Sequence, residues 1–217
     1  MQRREFVQKL LLAVPAASVA ALIARAGEGK AARASFDLRF IGKKLALVPR
    51  SDWTHTEPAY WRLRRAKKYT RLTVHHSGAR VERDIAREEI VSALDGVLTS
   101  HRERRYGDIG YHFVLDYAGR IWEGRSLAYE GAHVACQNSE NIAVMLLGNF
   151  EQQQPCILQL SALRTLAELL RGRFDIEKQS VFGHRDLGAS VCPGRWLYPY
   201  VHELRTGFAG TKLTENT

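Results

Sequence analysis

An imidazole and a thiol occur close together in the segment Gly183–Gly194, where His184 precedes Cys192 by eight positions. Glycine recurs through this segment and Pro193 follows the cysteine, so a regular helix is not expected there. The segment should instead form a loop that folds back on itself and can bring the two side chains to one point. Neutral imidazole and thiolate are ligands that zinc prefers in proteins. The spacing therefore predicts two ligands of a zinc site.

A third ligand must come from elsewhere, because two protein ligands are too few for such a site. The best candidates are the adjacent histidines His75 and His76, at the end of an apolar run that predicts a buried strand over Leu72–His75. Strand side chains alternate between faces, so only one of the two can point inward. Any one such residue is more often a packing or surface residue than a ligand. It is their combination that favours a metal site.

Further short motifs occur along the chain in a fixed order. They are Arg50-Ser51-Asp52-Trp53, Val74-His75-His76-Ser77, Gly110-Tyr111-His112-Phe113, Glu123-Gly124-Arg125, Gly131-Ala132-His133, Asn138-Ser139, Gly148-Asn149-Phe150, Gly183-His184-Arg185-Asp186 and Cys192-Pro193-Gly194. Each is weak alone, but together they are specific. Through them, roughly residues 47 to 200 resemble the zinc N-acetylmuramoyl-L-alanine amidases of the phage T7 lysozyme and peptidoglycan-recognition protein family.

The resemblance implies a reaction and residues for it. It implies Zn²⁺ as the cofactor, with His75, His184 and Cys192 as its ligands and the fourth position left for water or a substrate carbonyl. It implies that Tyr111 is catalytic, its phenol donating to the oxyanion of the tetrahedral intermediate. The implied substrate is peptidoglycan or its muropeptides, cut between N-acetylmuramic acid and L-alanine. The alternative is a peptidoglycan-binding module without catalysis, but binding members of the family have lost the zinc cysteine, which this chain keeps.

Four other positions bear on the site through the resemblance. His133 and Asn138 match positions that contact the muramyl peptide, so they are predicted to bind substrate. Ser190 stands where the phage enzyme has lysine and the recognition-protein amidases have threonine or serine, so it too is predicted to bind substrate, as a weaker donor. Related amidases carry a glutamate on the central strand, where this chain has Met145. No general base is therefore identified.

Hydrophobic periodicity outlines the elements that must position these residues. Helices are predicted over residues 85–98, 160–174 and 196–204, and strands over 72–75, 111–116, 119–123, 141–147 and 179–182. Residues 101–105 read as a solvated basic helix end. Strands interleaved with helices, with one continuous apolar strand, predict an α/β fold: a single domain with a central mixed sheet flanked by helices, the family's own fold.

The first 34 residues read as a twin-arginine signal peptide, removed before Ser35. Arg3 and Arg4 precede an apolar run, Leu10–Ala24, that is too short to span a membrane. An uncleaved anchoring helix and ordinary secretion are the alternatives. The predicted mature domain is 35–217, without a stable membrane span, and the predicted location is the periplasm or cell envelope.

Charge and cysteine count add limits. The full chain carries a net charge of +9, and loss of residues 1–34, with six basic and two acidic residues, would leave +5. This moderate positive charge suits an anionic polymer such as peptidoglycan, and equally nucleic acid or an anionic lipid surface. No nucleic-acid-binding motif is present, so no nucleic-acid partner is expected. A purely structural envelope protein would not need the ordered motifs. If Cys192 binds zinc, Cys136 and Cys156 are left either free or paired, which the sequence does not decide.

Overall fold

A six-stranded sheet forms the centre of the computed structural model, which describes residues 37–207. The predicted signal peptide lies outside the described residues. The strands are β1 (Leu47–Val48), β2 (Arg71–His76), β3 (Phe113–Leu115), β4 (Ile121–Glu123), β5 (Asn141–Leu146) and β6 (Val181–Gly183). Their order across the sheet is β1-β4-β3-β5-β2-β6. Only β3 and β4 pair antiparallel, so the predicted mixed sheet is confirmed.

The two longest strands of the sheet, β5 and β2, are neighbours and run parallel in register, with His75 opposite Met145. Every residue of β5 is buried. Parallel strands covered on both faces read as continuous apolar runs, which is why Asn141–Leu146 could be predicted from the sequence as a central strand.

Five helices accompany the sheet in the described part of the chain: α1 (Arg39–Gly42), α2 (Arg87–Glu103), α3 (Ile157–Phe174), α4 (His184–Leu187) and α5 (Tyr198–Thr206). The buried face of α2 carries Ile90, Leu94 and Leu98, at the spacing that keeps side chains on one side of a helix. At its start, the Glu89 carboxylate accepts a hydrogen bond of 3.0 Å from the Ala86 N–H, which satisfies one unpaired donor. None of the helices over residues 37–207 is long and apolar enough to cross a membrane.

The hairpin of β3 and β4 is closed by Asp116. Its carboxylate accepts hydrogen bonds from the Ala118 and Arg120 N–H groups at 2.9 and 3.0 Å, and from the Trp122 indole at 2.7 Å. Gly119 supplies the positive φ of +75° that the turn requires. The turn lies where it was predicted, but β3 begins at Phe113, so Tyr111 precedes the strand.

The segment that begins at Gly183 departs from prediction, because α4 forms one helical turn where no regular helix was expected. The Asp186 carboxylate accepts from the Gly183 N–H at 2.8 Å, and the Gly188 N–H donates to the His184 carbonyl at 3.2 Å. A single turn fits between the two glycines, so glycine bounds this helix rather than preventing it. The rest of the segment is the expected loop.

Candidate active site

Three predicted ligands come together at one edge of the sheet. One ligand atom from each of His75, His184 and Cys192 lies within 4.8 Å of the others. His75 is on β2, and His184 follows β6, which pairs with β2 so that Val74 faces Gly183. Since the carboxyl ends of adjacent parallel strands meet at the same edge, the two histidines become neighbours. Their rings are 4.9 Å apart between centroids.

The loop after α4 carries the cysteine back to the histidines. The Arg185 N–H donates to the Cys192 carbonyl at 2.8 Å, and the Cys192 N–H donates to the Ser190 hydroxyl at 3.1 Å. Gly194 has φ +96°, and a Cβ there would collide with the Phe150 backbone. These contacts set the fold-back, and they place the Ser190 oxygen as an acceptor within its own loop.

The protonation states of the cluster suit a cation. Burial holds the pKa of His75 well below its ordinary value and also lowers the pKa of His184, so both rings are neutral near pH 7. Burial raises the pKa of the Cys192 thiol to about 12. A hydrogen bond of 3.4 Å from the His76 N–H to Sγ acts in the opposite direction, because it favours the thiolate. Two neutral imidazoles and a thiol that a cation would deprotonate make a donor set that fits zinc.

His76 is directed away from this cluster, as strand alternation predicts. Its Nδ1 accepts a hydrogen bond of 3.1 Å from the Phe150 N–H, and its ring lies 6.2 Å from that of Phe150. The side chain of His76 therefore holds the chain after β5, while its backbone N–H supports the cysteine sulfur.

Tyr111 stands beside the predicted ligands, with its ring centroid 5.2 Å from that of His75. Burial raises the pKa of its hydroxyl above the ordinary value, so the phenol keeps its proton and can act as a donor. The preceding residue has to be glycine, because a Cβ on Gly110 would collide with the Ala132 carbonyl oxygen. Tyr111 can thus donate a hydrogen bond to a group held at the cluster.

A groove of about 410 Å³ opens at Tyr111 between α2 and the sheet. Besides Tyr111, its lining includes Met145, His101 and Arg104. Met145 is 1% exposed, and the His75–His184–Cys192 cluster includes no carboxylate. The groove lining therefore combines aliphatic side chains with one cationic side chain, that of Arg104, and includes no carboxylate.

The last turn of α2 was read wrongly as wholly solvated. His101 is buried, and its Nδ1 accepts a hydrogen bond of 2.8 Å from the Gly110 N–H. The burial of His101 could have been predicted, because positions 90, 94, 98 and 101 lie on one helix face. The arginines that follow His101 led instead to the prediction of a solvated helix end. Arg104 is exposed and borders the groove.

Two of the residues predicted to bind substrate, His133 and Asn138, lie next to His75, on the side of its ring away from Cys192. His133 is half-buried, with Nδ1 at 2.9 Å from Nε2 of His75. The Asn138 side-chain oxygen accepts from the N–H groups of His133 and Val134 at 2.8 and 2.9 Å. Asn138 thereby shapes the loop that presents His133, and this contact between two histidines was not foreseen from the sequence.

The Glu123-Gly124-Arg125 motif supports the segment before Tyr111. The guanidinium of Arg125 is buried and donates to four backbone carbonyls, those of Ile109, Glu130, Tyr106 and Asp108, at 2.7 to 3.1 Å. The nearby Asp108 carboxylate accepts from Arg50 at 2.8 Å. A single arginine therefore ties the segment 106–109, which leads to Tyr111, to the loop at Glu130.

All three cysteines are unbridged in the structure. Cys136 is exposed, whereas the thiol of Cys156 donates to the Tyr117 carbonyl at 3.1 Å at the start of α3. The question of a Cys136–Cys156 disulfide is thus answered in favour of free thiols.

Comparison with proteins of known sequence gives a family. A family model described as N-acetylmuramoyl-L-alanine amidase matches residues 65–195. A peptidoglycan-recognition protein of Drosophila simulans is 33% identical over 153 residues, which cover 70% of this chain and 82% of that protein. A peptidoglycan recognition protein of Bombyx mori is 37% identical over 118 residues, which cover 53% of this chain and 58% of that protein.

Solved structures share the fold. The complex of tracheal cytotoxin with the ectodomains of peptidoglycan recognition proteins LCa and LCx matches with a TM-score of 0.66 and 25% identity, covering 73% of this chain and 96% of that one. The N-acetylmuramoyl-L-alanine amidase LysC of Clostridium intestinale matches with a TM-score of 0.61 and 21% identity, over 74% and 95%. The resemblance that the sequence motifs indicated is confirmed, and this chain belongs to the N-acetylmuramoyl-L-alanine amidase family.

Proposed function

We propose that the protein is a zinc-dependent amidase that hydrolyses the bond between N-acetylmuramic acid and L-alanine in peptidoglycan. The observation that carries this proposal is the convergence of His75, His184 and Cys192 within 4.8 Å, in a member of an amidase family. A peptidoglycan-binding module would have no need of a neutral two-histidine, one-thiol cluster beside a half-buried tyrosine. The enzymatic function therefore accounts for this cluster, whereas the binding function does not.

The three ligands would hold the ion at the edge of the sheet where β2 and β6 end. Bound there, zinc would polarise the amide carbonyl and lower the pKa of a coordinated water towards about 7. Hydrolysis adds the elements of water across the amide, leaving a lactyl carboxylate and the free amino group of L-alanine.

The protein's own groups would stabilise the charge that develops. Tyr111 would donate its phenolic proton as a hydrogen bond to the carbonyl oxygen as that oxygen becomes negative. Ser190, held within the cysteine loop, lies two residues from a ligand and is the other candidate donor. No carboxylate belongs to the cluster, so the reaction would have to proceed without a glutamate base of the kind related amidases use.

The substrate would lie in the groove that begins at Tyr111. Stem peptides of peptidoglycan carry carboxylates, and exposed Arg104 at the groove offers a cation to one of them. Tracheal cytotoxin bound to the similar proteins LCa and LCx supports a peptidoglycan-derived ligand here. We also propose that the mature domain, residues 35–217, is exported through the twin-arginine pathway and meets this substrate in the cell envelope.

One experiment separates the function classes. Purified sacculi are incubated with the zinc-loaded protein and with its Cys192→Ser variant, and soluble and pelleted products are analysed by mass spectrometry. An amidase releases peptides that begin with L-alanine, and the variant does not. A binding module sediments with the sacculi and releases nothing, which would overturn the enzymatic proposal. Absence of both binding and release would exclude either peptidoglycan role.

A further inference from the structure

The two ring nitrogens of His75 face different partners. Nδ1 lies 3.6 Å from the Cys192 sulfur, on the side of the ligand cluster. Nε2 lies 2.9 Å from Nδ1 of His133. A neutral imidazole has one N–H and one lone pair, so which nitrogen carries the proton determines which partner His75 can serve.

The neighbours of His133 indicate where the protons of the two rings lie. Its Nε2 lies 3.4 Å from the Asn141 backbone carbonyl, which can only accept. A proton on that nitrogen leaves Nδ1 of His133 as an acceptor. The hydrogen bond from His75 must then be donated by Nε2, and the lone pair of His75 is left on Nδ1, directed at the cluster.

The ring of His133 is held firmly enough to impose this choice. Asn138 fixes its backbone N–H, and a Cβ on Gly131 would lie 2.6 Å from the ring, so the loop packs closely under it. Asn141, whose carbonyl lies next to Nε2 of His133, is itself anchored by its side chain. That side chain accepts a hydrogen bond of 2.8 Å from the Thr73 hydroxyl and donates one of 2.9 Å to the Gln137 carbonyl.

We infer that His133 is a positioning residue for the metal site: it accepts the Nε2 proton of His75 and so fixes the tautomer and the ring orientation in which Nδ1 binds the metal. Partners of this kind orient ligating histidines, and their removal weakens metal binding. This differs from the substrate contact that the family resemblance implies for His133, and it rests on the zinc site proposed above.

A measurement of zinc affinity in the absence of substrate distinguishes a positioning role of His133 from a substrate contact. His133→Phe keeps a ring of similar size but cannot accept a hydrogen bond, whereas the side-chain oxygen of His133→Gln can. Zinc dissociation constants are measured by competition with a chromogenic chelator at fixed pH, and folding is followed by circular dichroism. His133→Phe should bind zinc about 10- to 100-fold more weakly than the wild type, and His133→Gln should recover part of the loss.

His112, a buried histidine outside the ligand cluster, provides the control. His112 accepts from the Ala143 N–H at 2.9 Å, and its other ring nitrogen lies 3.0 Å from the Tyr129 carbonyl. His112→Phe should lower the melting temperature without changing the zinc dissociation constant of the folded protein. Equal weakening in both variants would mean that His133 acts through general stability, which overturns the inference.

The remaining outcomes are also decisive. Zinc binding by folded His133→Phe as tight as wild type, with only KM raised, would leave His133 a substrate contact and overturn the inference but not the proposed function. Absence of zinc binding by the wild type would remove both. If His133→Phe does not fold, long-range ¹H–¹⁵N spectra of zinc-loaded wild type decide: the inference requires the His75 proton on Nε2, and a proton on Nδ1 refutes it.

Discussion

Nδ1 of His101 accepts a hydrogen bond of 2.8 Å from the backbone N–H of Gly110, the residue before the predicted catalytic tyrosine. This bond joins the last turn of α2 to the start of the groove. Because Nδ1 is occupied as an acceptor, the proton of the neutral ring resides on Nε2. Burial lowers the pKa of His101 to about 4, which keeps the ring neutral at physiological pH.

Replacing His101 with Phe should therefore disturb the position of Tyr111. The change leaves the Gly110 N–H without its partner, and an unsatisfied buried donor costs about 1–3 kcal/mol. We expect a loss of that size in the free energy of unfolding, measured in urea, and a fall in amidase rate with zinc content retained. Asp95→Asn, on the exposed side of α2, is the matched control and should change neither quantity. Full activity of His101→Phe would mean that Tyr111 does not depend on this bond.

Arg125→Lys should be among the more destabilising conservative substitutions in this chain. The guanidinium donates to four carbonyls in a fixed geometry that an ammonium group cannot reproduce. With several buried carbonyls left unpaired, we expect a loss of about 2–4 kcal/mol in the free energy of unfolding. Arg83→Lys, at an exposed position, serves as the control. A loss below about 0.5 kcal/mol, the range of ordinary surface substitutions, would show that the loops around Arg125 keep their conformation without its hydrogen bonds.

The cysteines should differ sharply in reactivity in the metal-free protein. Cys136 is exposed and should be alkylated rapidly by iodoacetamide. Cys192 is buried with a raised pKa of about 12, so its reactive thiolate is scarce at pH 8 and becomes more abundant as the pH rises. Peptide mass spectrometry over time gives both rates. Fast labelling of Cys192 at pH 8 would contradict the burial and pKa assigned to it.

The sequence was sufficient to predict that His75, His184 and Cys192 lie together, because local rules constrained each part. Alternation along β2 separated His75 from His76, and glycine and proline around Cys192 required a chain reversal. The family resemblance chose between the two histidines. The continuous apolar run of β5 fixed the centre of the sheet for the same kind of local reason.

What escaped prediction depends on contacts between distant segments. His133 meets His75 across 58 positions, and no spacing rule relates a loop residue to a strand that far away. The position of Gly110 against Ala132 is likewise a matter of two loops packing together. His101 was a different kind of miss, since its helical spacing was readable and the neighbouring charges were given too much weight.

Export can be tested on the precursor, whose first residues lie outside the described structure. Changing Arg3 and Arg4 together to Lys keeps the charge but removes the paired arginines that the export receptor reads. The precursor should then stay in the cytoplasm, as judged by fractionation and immunoblotting. Arg25→Lys, beyond the apolar run, should export normally. Periplasmic appearance of the double variant would leave ordinary secretion as the route.

Tyr111→Phe tests the mechanism itself. The ring of Tyr111 lies beside that of His75, and partial burial raises the pKa of its hydroxyl, so its proposed contribution is a donated hydrogen bond that is strongest in the transition state. The fold, zinc content and binding to sacculi should be retained. The rate constant should fall by about 10²- to 10³-fold, the effect of removing one oxyanion donor.

The control for this variant is Tyr200→Phe, a tyrosine on α5 that lines a separate pocket with Leu160 and Leu163 of α3. It should hydrolyse peptidoglycan at nearly the wild-type rate, because Tyr200 is not among the residues that line the groove. Loss of zinc or unfolding of Tyr111→Phe would assign Tyr111 a structural role. A wild-type rate in that variant would place the chemistry on the metal site alone, since nothing would then be gained from the phenol in the transition state.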